Sequence, residues 1–195
     1  MSRRQERVAL TPAVGKQDHI IGDATAPITL VEYGDYQCPY CGKAYPIIKE
    51  LRKQLGSRVR FVFRNFPLTQ IHPNAQHAAE TAEAAAAQGN FWAMHDRLFE
   101  RQFALDDENL LEYADDLGLD VEQVAEELEA GTHRKRVRDD FMSGVRSGVN
   151  GTPTFFINGV RHEAGFDLET LLAAVEGRAV TTKAHRTQHS PSTSS

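Results

Sequence analysis

The stretch Ile28-Thr29-Leu30-Val31-Glu32-Tyr33-Gly34-Asp35-Tyr36-Gln37-Cys38-Pro39-Tyr40-Cys41 decides the fold. Its first six residues read as a buried strand. Tyr45, Ile48, Leu51 and Leu55 then continue a helical face that ends at Gly56. Cys38 therefore lies near a helix N-terminus. Pro39 suits the first helical position, where its missing N–H costs nothing, and the unpaired N–H groups there favour a thiolate. Cys41 follows nearly one turn later, so its sulfur shares a face with that of Cys38 and can close a short disulfide. The spacing casts the more exposed Cys38 as attacker of a substrate disulfide and Cys41 as the thiol that resolves the mixed disulfide. A C-x-x-C can also be half a zinc site, but the chain has 2 cysteines and only scattered histidines to complete four ligands. An inert buried pair is the other alternative, and the strand-to-helix position argues against it.

At 195 residues the chain suffices for one domain with a large insertion or for two small lobes. Charged residues make up 25% and the net charge is −5, which points away from nucleic acid and anionic membrane as partners. Val8-Ala9-Leu10 is stopped by Thr11-Pro12, too short for a signal-peptide core, and no apolar run approaches the roughly 20 residues of a bilayer span. A cytoplasmic protein without membrane insertion is expected, unless the true start lies upstream. In that compartment thiols are kept reduced, and a disulfide is transient and catalytic or sensing.

Five stretches follow in order. Residues 1–26 are an irregular lead-in with one short edge strand. Residues 27–70 hold a βαβ unit, closed by the alternating Val59-Arg60-Phe61-Val62-Phe63-Arg64-Asn65-Phe66. Residues 71–148 are helical in pattern, opening at His72-Pro73, with Trp92, Phe99 and Phe103 expected in the core of a small bundle. Residues 149–177 return to strand at Thr154-Phe155-Phe156-Ile157, turn at Asn158-Gly159 and close with a helix. Residues 178–195, rich in Ser, Thr and His, read as a disordered tail.

This order, together with Cys38-Pro39-Tyr40-Cys41, the segment from Phe63 to Leu68 and the run Gly151-Thr152-Pro153-Thr154-Phe155-Phe156-Ile157-Asn158-Gly159, resembles the DsbA-like thiol–disulfide oxidoreductases of the thioredoxin superfamily. The resemblance covers about residues 18–177 and implies an α/β, thioredoxin-like fold: a mixed central sheet with an inserted helical subdomain. It implies that Pro153 is cis beside the cysteine pair, with Thr152 free to pair with an extended substrate segment; the alternative is a plain turn proline. It also implies that Glu32, six residues before Cys38, is a buried carboxylate with a raised pKa that accepts the proton of Cys41; the alternative is a solvent-facing strand residue.

Tyr40 departs from the strongly oxidising member of the family, which has histidine there. Cys38 is therefore expected to be less acidic than the roughly 3.5 of DsbA, and the pair less oxidising. The reading is a redox-active center that exchanges disulfide bonds with protein or peptide thiols and is recycled by an unidentified redox partner, with no metal or bound cofactor. The alternative is a redox-switched binding module without turnover. A glutathione-dependent small-molecule isomerase on the same fold ranks third, since those relatives use no C-x-x-C pair. The insertion is expected to roof the site and offer Phe and Trp side chains to unfolded segments. Asp35 reads as a solvated loop carboxylate, and His72, His77, His95 and His133 as solvated or locally bonded. The basic run His133-Arg134-Lys135-Arg136-Arg138 reads as a solvated helix face.

Overall fold

Alternation along two parallel strands organises the molecule. The computed structural model describes residues 9–187, and side chains as far as 177. Strand β2 (Ile28–Gly34) pairs in parallel with β3 (Val59–Asn65), joined by helix α1 (Pro39–Leu55). The edge strand β1 (His19–Gly22) lies antiparallel on β3, while β4 (Thr154–Ile157) lies antiparallel on the other side of β2, followed by β5 (Val160–Arg161). The resulting five-stranded mixed sheet has the order β1-β3-β2-β4-β5. Asn158 and Gly159 both take positive φ (49° and 78°), as a two-residue hairpin turn requires.

Because successive strand residues face opposite ways, Ile28, Leu30 and Glu32 of β2 point to one side, and Val31 and Tyr33 to the other. The first side is covered by α1, which buries Cys41, Ala44, Ile48, Leu51 and Leu55, and by the closing helix α7 (Leu168–Thr187). The insertion between β3 and β4 has five helices: α2 (Ala75–Ala87), α3 (Phe91–Glu100), α4 (Asp107–Asp116), α5 (Val121–Ala130) and α6 (Arg134–Arg146). Asp106 and Asp120 cap α4 and α5 by accepting from the N–H groups of Asn109 and Gln123. Helix α6 covers the second face, packing on Phe66 through Phe141. It approaches the sheet closely at Gly144, where a β-carbon would lie 2.6 Å from the ring of Phe66.

Two expectations are corrected here. Phe103 is fully exposed, because it follows the end of α3 in a turn rather than on the helix's apolar face. The closing helix continues through residues 178–187 rather than giving way to a disordered tail at 178; a single glycine such as Gly177 does not stop a helix, and no proline follows before Pro191. The rest of that tail lies outside the described residues.

The second face also holds buried charge. Arg64 donates to both carboxylate oxygens of Asp18 at 2.7 and 3.0 Å and to the Tyr33 hydroxyl at 2.8 Å, and Tyr33 meets Ser143 of α6 at 2.7 Å. Asp140 accepts from the Asn65 N–H at 3.0 Å and from Arg136. Taking one partner from a buried pair strands the other charge, so Asp18→Ala should lower the urea-unfolding free energy by about 3 kcal/mol or more. Lys135→Ala, which removes the exposed partner of Asp139, should cost less than about 1 kcal/mol. Equal losses in the two variants would show that the Arg64 cluster is hydrated rather than buried.

Candidate active site

The end of β2 and the start of α1 meet where the two cysteines stand. Cys38 is the N-cap residue of α1, with extended backbone (φ −71°, ψ 121°), and Pro39 opens the helix. Both thiols are free and close together, with Cys38 4% and Cys41 0% exposed. Cys38 is thus the more accessible of the two, though only just, while Tyr40 between them is 59% exposed with the Lys43 ammonium 5.4 Å over its ring.

The surroundings pull the two thiols apart. The Cys38 thiol is lowered from 9.0 to about 5, chiefly by its hydrogen bond with Cys41, with Thr152 and the backbone N–H groups of Cys41 and Tyr40 adding to this against the cost of burial. Cys41 is pushed well above the usual thiol range by burial, by its bond to Cys38 and by the nearby charge of Glu32. The Cys41 sulfur also accepts the backbone N–H of Asp35 at 3.4 Å. The Cys38 sulfur lies 3.4 Å from the Thr152 carbonyl, and the Thr152–Pro153 peptide bond is cis. The buried Thr152 hydroxyl has no partner of its own, which leaves it free to donate to a thiolate at Cys38.

Glu32 faces α1, as the alternation of β2 requires, rather than solvent. It is 2% exposed, its Oε1 has no hydrogen-bond partner, and its carboxyl is raised from 4.5 to about 8 by burial and then by the charge on Cys38. A cavity of about 10 Å³ beside it is lined also by Tyr45, Lys49, Arg52, His95 and Asp96.

Asp35 differs from its expected setting, while His72 and His95 are bonded, to Asp35 and to Tyr36, and shielded from solvent. Asp35 is buried, not solvated: it caps the turn before Cys38 by accepting from the Gln37 N–H at 2.8 Å, and it binds the Leu68 N–H at 2.8 Å and His72 Nδ1 at 2.7 Å. His72 is correspondingly half-buried against it. His95 is enclosed by Tyr36, Phe63, Trp92 and Phe99, which holds it neutral, with its pKa pushed down to about 3 by burial. Of the Phe and Trp side chains that the insertion was expected to offer to unfolded segments, Trp92 and Phe99 are packed around this histidine. Gln102, which carried no motif, donates to the carbonyls of Tyr36 and Cys38 at 2.7 and 2.8 Å. Among the described residues no three His, Cys, Asp or Glu side chains converge in a way that could hold a metal ion.

Comparison with known proteins adds three findings. Residues 15–177 match the thioredoxin family. The Na(+)/H(+) antiporter NhaA 3 of Salinispora tropica is 47% identical over 166 residues, which is 85% of this chain and 25% of that protein. The chain spans about a quarter of the length of such curated relatives. Among solved structures, BdbD from Bacillus subtilis in its oxidised form superposes with a TM-score of 0.80 at 24% identity, covering 89% of this chain and 98% of that one. A thioredoxin-like oxidoreductase from Silicibacter pomeroyi gives 0.76 at 28% identity, covering 86% and 94%. The relatives overturn the expectation of a cytoplasmic protein, since an antiporter name is that of a membrane protein. No helix among the described residues is long and apolar enough to cross a membrane.

Two outcomes follow from the ionisations. Reduced protein treated with iodoacetamide at about pH 6 should gain one adduct, at Cys38, where the thiolate predominates; equal labelling of Cys41 would contradict the asymmetry. Glu32 has a raised pKa, so its contribution to stability is complete below 4.5 and lost as pH rises through about 8. The depressed Cys38 thiol works the opposite way, its contribution being lost as pH falls through about 5, and largely cancels when two reduced proteins are compared. Glu32→Gln should therefore gain on wild type in urea unfolding from about pH 4.5 to about pH 8. Parallel pH profiles would mean that Glu32 ionises as it does in water.

Proposed function

The chain belongs to the thioredoxin family, and from that premise we propose that it exchanges disulfides with protein or peptide substrates through Cys38 and Cys41. One observation carries this: two adjacent sulfurs at a helix N-terminus whose ionisations are driven in opposite directions, Cys38 down and Cys41 up. The Cys38 thiolate attacks one sulfur of a substrate disulfide and forms a mixed disulfide, and the displaced substrate thiolate takes a proton from water. Bonding of Cys38 removes its negative charge, which relieves the second cause of the high Glu32 pKa, so Glu32 becomes more readily a carboxylate. That carboxylate accepts the proton of Cys41. The Cys41 thiolate then attacks Cys38, the mixed disulfide breaks, and the second substrate sulfur leaves as a thiolate and is protonated. Two electrons pass from the pair to the substrate; the reverse sequence oxidises a substrate dithiol. Thr152, whose carbonyl adjoins the Cys38 sulfur, supplies main-chain groups for an extended segment, a mode of binding that tolerates many sequences.

The relatives' name favours a second reading. A module that makes up a quarter of a protein named for ion transport fits a redox-switched binding role in which the dithiol alters affinity without turnover. Catalysed insulin reduction, lost in Cys38→Ser, supports exchange; redox-dependent partner binding with no turnover supports the switch. Within the exchange mechanism, Cys41→Ser should accumulate trapped substrate adducts and Cys38→Ser should not, whereas equal trapping overturns the assigned roles.

The equilibrium potential of the pair gives the direction of exchange. A thiol at about 5 lies between the roughly 3.5 of DsbA and the roughly 7 of thioredoxin. In glutathione buffers the pair should poise between roughly −270 and −120 mV, the values of those two proteins. A potential below this range would mean that Cys38 acidity does not govern the couple.

A further inference from the structure

We propose that Gln102 is a positioning residue: its side-chain amide, lodged over Gly42, fixes the carbonyls of Tyr36 and Cys38 and so holds the Cys38 sulfur against the first N–H groups of α1. The proposal rests on the disulfide-exchange reading of the site and adds to it the means by which the helical insertion controls the nucleophile.

Gln102 stands in the turn that follows α3. Both N–H bonds of its amide are used: one meets the Tyr36 carbonyl at 2.7 Å, the other the Cys38 carbonyl at 2.8 Å. The Cys38 carbonyl also accepts the Gly42 N–H at 3.1 Å, the first bond of the helix. Tyr36 precedes the helix, so its carbonyl has no helical donor, and Gln102 takes that place. The segment 36–38 is thereby pinned by a neighbouring element just where its direction decides whether the Tyr40 and Cys41 N–H groups face the sulfur. Those two groups are among the causes that hold the Cys38 thiol low.

Gly42 is an independent observation. Glycine is among the poorest helix formers, and this one has no positive φ to justify it. Space explains it. A β-carbon at 42 would lie 2.2 Å from Gln102 Oε1 and 2.9 Å from its Cδ. The helix gives up a better residue next to its cysteines, and the amide of Gln102 fills the gap.

The same contact supplies the test. In Gly42→Ala the new methyl displaces the end of a flexible side chain, so the amide leaves its two carbonyls while the helix itself is favoured. Gln102→Leu removes the amide directly. The readouts are the alkylation rate of Cys38 in the reduced protein at about pH 5 and the pH titration of thiolate absorbance, with urea unfolding alongside. Neither thiol readout needs turnover, so they judge Gln102 even where the insulin assay fails. Each variant should alkylate about threefold more slowly than wild type, with its thiol titrating higher, since a lost hydrogen bond of ordinary net worth lowers the acid constant about fivefold and takes the thiolate at that pH from about a half to about a sixth. The double variant should be no slower than the slower single one, because both act through one contact. Gly42→Ala should unfold at urea concentrations closer to wild type than Gln102→Leu does, because the better helix former offsets part of the two lost bonds. Unchanged alkylation in both single variants, or effects that multiply in the double, would overturn the proposal. Should Gln102→Leu fail to fold, Gly42→Ala alone decides it.

Discussion

One side-chain direction, that of Glu32, sets which groups lie in the closed compartment under α1. Strand alternation turns it away from the polar second face and under α1, where Cys41 also points. A carboxyl and a thiol then share a compartment with almost no solvent, where burial hinders both ionisations, the charge of Cys38 adds to this at Glu32 and the charge of Glu32 adds to it at Cys41. The negative charge that such a site can carry goes to Cys38, whose thiol the bond from Cys41 and the backbone N–H groups of Cys41 and Tyr40 hold low. Burial suppresses the acidity of Cys41, and at Cys38 the hydrogen bonds overcome it.

The other buried charges follow different rules. Arg64, Asp18, Tyr33 and Ser143 satisfy one another, and Asn65, Glu83, His19, Arg136 and Asp140 form a second polar set between β1, β3, α2 and α6. Those groups fix how the insertion and the lead-in sit on the sheet. Glu32 has no such partner on its Oε1. A buried acid with an unpaired oxygen is costly to stability, and the proposed exchange uses it to take the proton of Cys41.

Much of this was legible in the chain. Alternation in 59–66, the Asn158-Gly159 turn and the cysteine spacing are local signals, and each produced its element. The cis state of Pro153 and the burial of Glu32 followed from family likeness rather than from spacing. What escaped was long-range. Asp35 looks like a loop carboxylate until Leu68 and His72 are brought to it from beyond β3. Phe103 looks like core until α3 ends just before it, and Gln102 has no local pattern because its partners are on another element. Gly42 was the available clue to that contact, a residue that helix propensity disfavours in the middle of an apolar helical face.

The position of the insertion also bears on the order in which the site is assembled during folding. Strands β2 and β3 are joined by one helix and can pair early, whereas β4 joins β2 only after all of α2–α6 has intervened. Closing so long a loop is a late, non-local event. Until then the cysteines sit at the head of α1 without Thr152 beside them, and Cys38 lacks one of the bonds that lower its thiol. Arrival of β4 adds that last bond, so that the final increment of Cys38 acidity reports completion of the sheet.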